Sequence, residues 1–523
     1  MGIFASLIRF LMIKIFFVSL AFLFSACSLM SISIKDTNLS QTSFVKDDFD
    51  PLQTPLGQIH LQDFIQNPQK SGALFINDGK QALLHRTALV KMAQKSIILQ
   101  TYIYKNDPES RLLMFELWRA ANRGVEVKIL IDDNGLDSDF SDIITLDSHP
   151  NIEVKIFNPY RTRSTIPRYA EMVYDFKRIT HRMHNKIFIV DNIALIIGGR
   201  NVADNYFEAN SQVNFSDSDA IFIGPVVKEA LENFKLYWSY DKSVNASLLP
   251  SKNSMEDYLE EINTNLQGFE KSSKGWIDYN EIMDKFLTAY EEKRFAISWG
   301  RAKFLGDLPQ KIEKEEIIYP INDAFLALSK DLKKSLYIVS AYFVPGDTGL
   351  ELIADLKKRG VEVITLTNSL SSMDSVVVYA AWQRYRDKLL EQGVKVYEYS
   401  YHGKNKKSNL RDKIGSSSSL HSKIIVFDES ITWIGSFNLD PRSKDLNTES
   451  IVVFENENFA KKVQESIKED IKASWQLQRQ NGKTTWQGYN EKGELETHTS
   501  DPDTSVILRF FNFLSKILPE NQI

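Results

Sequence analysis

Cysteine is almost missing from this chain of 523 residues: Cys27 is the only one, which rules out an intramolecular disulfide and any zinc site built on cysteines. Histidine is scarce as well, with eight copies, and no HExxH pattern places two of them on one helix face as a zinc hydrolase requires. No surplus of positive charge is present. The 63 Lys and Arg against 68 Asp and Glu give a formal charge of −5, so nucleic acid is not an expected partner of the whole surface. Long apolar runs are lacking too; the best candidate, Ile15 to Phe24, falls short of the roughly 20 residues that a spanning helix needs. What remains for chemistry is histidine, lysine and carboxylate, and this inventory calls for no cofactor and no metal.

The composition is otherwise that of a folded chain, 43% apolar and 25% charged, long enough for two core-forming units. Its first residues stand apart. Arg9 and Lys14 precede the short apolar run, and FSAC then ends at Cys27, the order of an export signal. LFSAC resembles the lipobox of bacterial lipoproteins, with Phe24 where leucine is usual. Residues 1–26 are therefore expected to be a lipoprotein signal peptide, Cys27 the lipidated first residue of the mature chain, and 27–66 a polar tether. The expected location is a membrane-anchored lipoprotein facing the periplasm, and Ser28 rather than aspartate after Cys27 favours the outer membrane.

Beyond the tether the chain repeats itself. KSIILQTYIY from Lys95 reads as a strand, Arg111 to Asn122 as a helix closed by Gly124, and VEVKILID as a second strand. KSLYIVSAYF from Lys334, a helical stretch to Lys358 and RGVEVITLT from Arg359 return the same order. Gly124 and Gly360, Ser96 and Ser335, and His184 and His421 recur at offsets of 236, 239 and 237, which makes the chain an internal duplication. Strands alternating with helices predict an α/β sandwich in each half. The expected divisions are 67–242 for the first half, 243–294 for a helical connector, 295–477 for the second half and 478–523 for a C-terminal tail carrying an amphipathic helix.

Each half holds one pattern: HNKIFIVD from His184 to Asp191, and HSKIIVFD from His421 to Asp428. Alternate residues of a strand share a face, so His184 points with Lys186 and His421 with Lys423, whereas Asp191 and Asp428 point away, in support. Downstream, Gly198, Gly199 and Asn201 in one half match Gly435, Ser436 and Asn438 in the other. Glycine lets backbone approach a ligand, and an asparagine amide can donate to a phosphoryl oxygen. Two imidazoles, two ammonium groups and two amides suit phosphoryl transfer: one imidazole attacks, the other protonates the leaving oxygen, and the lysines offset the developing charge. A nucleophilic imidazole also needs a carboxylate on its other nitrogen. Order along the chain offers Glu449 for the second half and, for the first, Asp217 or Asp219; Asp219 is favoured because it abuts the following strand as Glu449 does.

The two motifs, His184-x-Lys186-xxxx-Asp191-xxxxxx-Gly198-Gly199-x-Asn201 and His421-x-Lys423-xxxx-Asp428-xxxxxx-Gly435-Ser436-x-Asn438, resemble the duplicated HKD motif of the phospholipase D superfamily over roughly residues 70 to 477. Within it the chain is most similar to bacterial C-type cardiolipin synthases and phospholipase D-like lipoproteins, through IFNPY, GGRNVADNYF, DAIFIGPVV, GSFNLDPRS and SDPDTS. The resemblance implies two α/β/α sandwich halves related by a pseudo-twofold axis, with one active site at their interface. It implies a catalytic set of His184, Lys186, Asp191, His421, Lys423 and Asp428, phosphate binding by Asn201 and Asn438, and a phosphatidyl group carried on a histidine between phospholipids. By the same analogy His184 is the nucleophile and His421 the general acid. Expected substrates are phosphatidylglycerol and also phosphatidylethanolamine. The alternatives in order are a phospholipase D that hydrolyses phospholipids to phosphatidic acid, a periplasmic nuclease, and a structural lipoprotein.

Basic residues crowd the approach to each motif: Lys155, Arg161, Arg163, Arg168, Lys177, Arg178 and Arg182 before the first, Lys404, Lys406, Lys407, Arg411 and Lys413 before the second. They are expected to draw in anionic headgroups. His181 is read as a rim residue. In TSVILRFFNFLSKILP, Arg509, Asn512 and Lys516 form one polar stripe, and the helix is expected to dock as a core helix rather than lie in a bilayer.

Overall fold

The computed structural model of the protein describes residues 49–136, 141–161, 165–210, 212–249, 273–313, 319–400, 417–490 and 493–517. Cys27 and the signal segment, Arg163, most of the connector, and the second basic stretch from Lys404 to Lys413 lie outside the described residues.

In chain order the first half contributes β1 (Ser71–Ile76), β2 (Ser96–Thr101), β3 (Glu126–Asp132), β4 (Ile152–Phe157), β5 (Ile187–Val190), β6 (Ala194–Gly198), β7 (Val213–Ser216), β8 (Asp219–Ile223) and β9 (Ser243–Asn245). The second contributes β10 (Ser298–Gly306), β11 (Ser335–Ser340), β12 (Glu362–Asn368), β13 (Lys395–Tyr399), β14 (Ser417–Leu420), β15 (Lys423–Phe427), β16 (Ile431–Gly435), β17 (Ser450–Glu455), β18 (Ser474–Gln480), β19 (Lys483–Tyr489) and β20 (Leu495–His498). The first sheet runs β9-β4-β3-β2-β5-β6-β8-β1, parallel from β4 to β2 and antiparallel elsewhere. The second repeats it as β18-β13-β12-β11-β15-β16-β17-β10, then adds β19 and β20 beyond β18. Strand β10 belongs to both sheets: Ser298 to Gly300 pair with β1, and Arg301 to Gly306 pair with β17.

Local chemistry sets these elements. Strands β2, β5 and β6 are buried along their whole length, which explains the unbroken apolar runs of β5 and β6 and the Ile97–Leu99 run of β2. Helix Pro108–Asn122 starts on an Asp107 cap with proline at its first position, and Gly124, at φ +91°, follows its end; Gly360, at φ +81°, follows helix Gly346–Lys358 in the same way. Between the halves, helix Pro225–Trp238 packs on β10 and helix Glu457–Lys472 on β1, where its Phe459 meets Phe75 and Phe454 edge to face, as Phe222 meets Phe454. Each half keeps its own apolar core. The duplicated α/β architecture therefore follows the expectation.

Two expected boundaries and the orientation of one helix are corrected. The end of the tether is a helix, Pro55–Gln66, capped by Thr54; Leu56, His60 and Phe64, four residues apart, turn one stripe onto the first core, a pattern obscured by its histidine. The second half does not stop at residue 477, because Trp475, Leu477 and Trp486 carry its core into β18 and β19. The C-terminal helix, Val506–Ser515, does dock, but the wrong way round for a core helix: Asn512 is buried with its amide on Gln383, Arg509 reaches Ser500, and the larger part of its apolar side stays outside.

Candidate active site

The two motifs occupy matching hairpins. β5 turns into β6 through Asp191 and Asn192, both at positive φ, and β15 turns into β16 through Asp428 and Glu429, also at positive φ, as a type I′ turn requires. The aspartates sit at this turn, at the far end of the strand from the histidines, and the expectation that they share the catalytic set is corrected. Asp191 accepts the backbone N–H groups of Gln94, Lys95 and Ser96 at 2.9, 2.7 and 2.9 Å, and Asp428 those of Lys333, Lys334 and Ser335 at 2.8, 2.7 and 3.0 Å. Each ties the start of the neighbouring strand, β2 or β11, to its turn.

At the other end, the chain ahead of each motif strand leaves its own sheet and pairs with the opposite half. Met183 bridges Thr448, and the His184 N–H donates to the Thr448 carbonyl at 2.8 Å. β14 lies parallel to β7, and the His421 N–H donates to the Ser216 carbonyl at 2.8 Å. This exchange decides which acid meets which base. Glu449 receives His184 Nδ1 at 2.9 and 3.0 Å, and Asp217 receives His421 Nδ1 at 2.7 Å. Each histidine is thus held by a carboxylate of the other half, not of its own as the chain order suggested.

Asp219 is the second correction. It accepts from Arg86 at 2.9 Å, lies 3.5 Å from Arg200, and reaches neither histidine. Register explains the misassignment: Gly198 pairs with Asp219 and Gly435 with Ile451, so Asp217, two residues earlier, is the counterpart of Glu449. The signal was present as an acid followed by serine, Asp217-Ser218 and Glu449-Ser450. Gly198 and Gly435 also act otherwise than expected: a Cβ there would meet the carbonyl of Ser218 or Ser450 at 2.4 or 2.2 Å, so they permit close strand pairing rather than ligand approach.

The lysines fold back along their strands, Lys186 Nζ donating to the His184 carbonyl at 2.7 Å and Lys423 Nζ to the His421 carbonyl. Asn201 and Asn438 accept the N–H groups of Ile103 and Tyr342 at 3.1 and 3.5 Å; among the described residues the buried Nδ2 of Asn201 meets no acceptor. Aromatic rings wall the imidazoles, Tyr102 at 5.2 Å from His184, and Tyr206 and Phe215 each at 5.1 Å from His421. Ser436, expected beside the ligand, instead donates its hydroxyl to Glu449; missed from sequence altogether are the Ser443 hydroxyl that donates to the same carboxylate and the buried pair of Asp307 and Lys311, in which Asp307 accepts the Glu449 N–H at 3.0 Å.

Burial governs the charges. It brings His184 down to about 4 and His421 to about 3, with the two lysines adding to the drop and the carboxylates opposing it. Lys186 falls to about 7 through burial and the neighbouring Lys423, and Lys423 is lowered by burial too. Burial alone would raise Asp217, but His421, Lys423 and Arg200 bring it to about 2; Glu449 is likewise held down by His184 and Lys186 against its burial. The resting site therefore holds ionised carboxylates and neutral imidazoles that donate through Nδ1. Nε2 of neither ring has a partner among the described residues.

Three of the described basic residues ahead of the first motif are spent inside the fold. Lys155 donates to the Trp238 carbonyl at 3.1 Å, Arg178 pairs with Glu171 and Asp175, and Arg182, fully buried, pairs with Asp132. His181 is a largely buried residue whose ring meets the Lys177 carbonyl.

Comparison with known proteins gives these arrangements a context. The family described as "Cardiolipin synthase, PLD-like domain" matches residues 87–238 and 327–471. The chain is 44% identical to an uncharacterized protein of Helicobacter pylori (strain J99) over 91% of this chain and 94% of that one. It is 34% identical to cardiolipin synthase C of Escherichia coli (strain K12) over 87% of this chain and 96% of that one. Among solved structures, phosphatidylserine synthase of Haemophilus influenzae Rd KW20 superposes with a TM-score of 0.54 at 13% identity, covering 80% of this chain and 92% of its own, a likeness of fold.

Proposed function

Because the chain belongs to the phospholipase D superfamily, in the family of the cardiolipin synthase PLD-like domain, we propose that it moves a phosphatidyl group from one phospholipid to a hydroxyl of another and makes cardiolipin or a close analogue. The observation that carries this reading is the pair of buried imidazoles, each fixed through Nδ1 by a carboxylate of the opposite half, beside two lysines.

His184 Nε2 attacks phosphorus, and the bond from phosphorus to the headgroup oxygen breaks as His421 delivers a proton to that oxygen. A phosphodiester brings negative charge between Lys186 and Lys423, which raises the basicity of both imidazoles and lets His421 carry that proton. In the second step His421 takes the proton of the acceptor hydroxyl, that oxygen attacks phosphorus, and the phosphorus–nitrogen bond to His184 breaks. With phosphatidylglycerol as donor and acceptor the products are cardiolipin and glycerol; with phosphatidylethanolamine as donor, ethanolamine leaves. Glu449 holds His184 in the tautomer that exposes Nε2 and offsets the positive charge that attack places on the ring. Asn201 and Asn438 are assigned to the phosphoryl oxygens.

Export and lipidation at Cys27 belong to the same proposal, since they would set the site beside its substrate; mass spectrometry of the mature N-terminus, finding a diacylglyceryl-modified Cys27 or not, decides them. For the reaction, the purified protein is incubated with phosphatidylglycerol alone and with phosphatidylethanolamine added. Cardiolipin supports the proposal, phosphatidic acid alone would replace it with hydrolysis, and no turnover of either lipid refutes it. Trapping labelled lipid on protein tests the nucleophile: label is expected on His421→Asn and absent from His184→Asn.

A further inference from the structure

Helix Val506–Ser515 docks through Leu508, Arg509 and Asn512, and leaves most of its apolar residues to water. Asn512 is only 4% exposed and Arg509 bonds to Ser500, whereas Phe510, Phe511, Phe513 and Ile517 are 57, 56, 65 and 81% exposed, with Val506, Ile507 and Leu514 beside them. Arg384 ties the helix down further by donating to the Lys516 carbonyl at 2.9 Å. The polar contacts fix the apolar side outward, so the exposure is built into the docking. Six large apolar side chains on one 10-residue helix, with Ile517 just past its end, form a patch that water disfavours.

We propose that this face is covered by the acyl boundary of an anionic lipid surface, and that the helix seats the enzyme on the membrane from which it draws substrate. The proposal rests on the phospholipid reading of the site. Charge argues for this occupant: between Val506 and Ile517 the charged residues are Arg509 and Lys516, with no acid, on a chain whose net charge is −5. A cationic, phenylalanine-rich helix complements anionic headgroups and opposes a second copy of itself. Ten residues span about 15 Å, too short to cross but suited to lying in the interface. A second apolar projection, Val173, Tyr174 and Phe176, at 81, 58 and 51% exposure, stands in the segment that leads into the first histidine motif.

The test uses the full chain with Cys27→Ser and a single new cysteine, Phe513→Cys or, as control, Lys483→Cys at the exposed start of β19, each carrying an environment-sensitive fluorophore. On vesicles of phosphatidylglycerol and phosphatidylethanolamine the label at 513 is expected to shift to the blue and to be quenched by spin-labelled lipid, while the label at 483 is unchanged. No shift at 513 on protein that floats with the vesicles overturns the proposal. So does a blue-shifted label before vesicles are added, which identifies the occupant as a second copy if it grows with protein concentration and as the chain itself if it does not. In parallel, Phe510→Ser with Phe511→Ser and Phe513→Ser is expected to lower turnover of vesicle lipid about tenfold and to leave turnover of a dissolved short-chain phospholipid unchanged. Equal loss on both substrates counts against it. If the unsubstituted chain turns over neither lipid, the transferase reading fails, and the fluorescence still decides the helix.

Discussion

The two halves hold their histidines by the same plan with different parts. In the first, Asp217 folds back over Gly199, where a Cβ would lie 2.2 Å from Asp217 Oδ1, and its carboxylate takes the Ser218 N–H at 2.7 Å. In the second, Glu449 has one more methylene, and Ser436, the counterpart of Gly199, inserts its hydroxyl between the Glu449 carboxylate and the Ser450 N–H. Arg200 donates to the Asp217 carbonyl from behind, a position that Phe437 fills in the other copy. The difference teaches that what the chemistry needs is an anion at a defined distance from Nδ1. The stem and its supports can be traded as a set, but not one at a time.

The largest effect should come from removing that anion. Glu449→Gln and Asp217→Asn are each expected to lower kcat on the order of 10³-fold with the fold intact, read by initial rates beside circular dichroism. Equal deficits would mean that both histidines matter alike to the slow step; a larger one for Glu449→Gln would single out His184. Mixing the parts comes next. Gly199→Ser pushes against Asp217 and should cost about 10²-fold, whereas Ser436→Gly, which removes one donor from Glu449, should cost about tenfold. If Gly199→Ser is the milder change, the trade described above is wrong.

The contacts across the halves offer a smaller contrast. Asn185 is buried between Thr448 and the Glu449 carbonyl at 2.7 and 3.1 Å, while its counterpart Ser422 meets Ser218 at 3.2 Å. Asn185→Ala is expected to lose about 1–3 kcal/mol in denaturant unfolding, and Ser422→Ala about 1 kcal/mol or less. The shallowest test is pH. Lys186, brought to about 7, is charged below that pH and neutral above it, so kcat/KM should decline as pH rises through 7. Lys186→Met should be slower throughout and lack that limb; a limb that persists belongs to another group.

Most of the fold was legible because the duplication states it twice, and the strand–helix–strand order around Gly124 and Gly360 recurs in the structure. The site was legible as an inventory and not as a wiring diagram. Strand parity puts His184 with Lys186, but no periodicity reveals that β14 pairs with β7 and Met183 with Thr448 across the halves, the steps that hand His421 to Asp217 and His184 to Glu449. Asp219 was preferred for its closeness to the next strand, whereas the deciding fact is register two residues back. Asp307 and Lys311 gave no local signal because their partner, Glu449, is far along the chain. The docking of the C-terminal helix follows the expectation, but its orientation is not legible, because a polar stripe usually faces water and only the partners Gln383 and Ser500 turn it inward.

The shared strand β10 and the exchanged carboxylates have a consequence for ancestry. A free-standing half would own a histidine, a lysine and an acid, yet its acid would serve only a neighbour. Such a unit gains function by meeting its twin, so the logic of the present enzyme is that of a homodimer written into one polypeptide. Joining the copies released them from having to be identical, and the Asp217–Gly199 and Glu449–Ser436 solutions record that freedom.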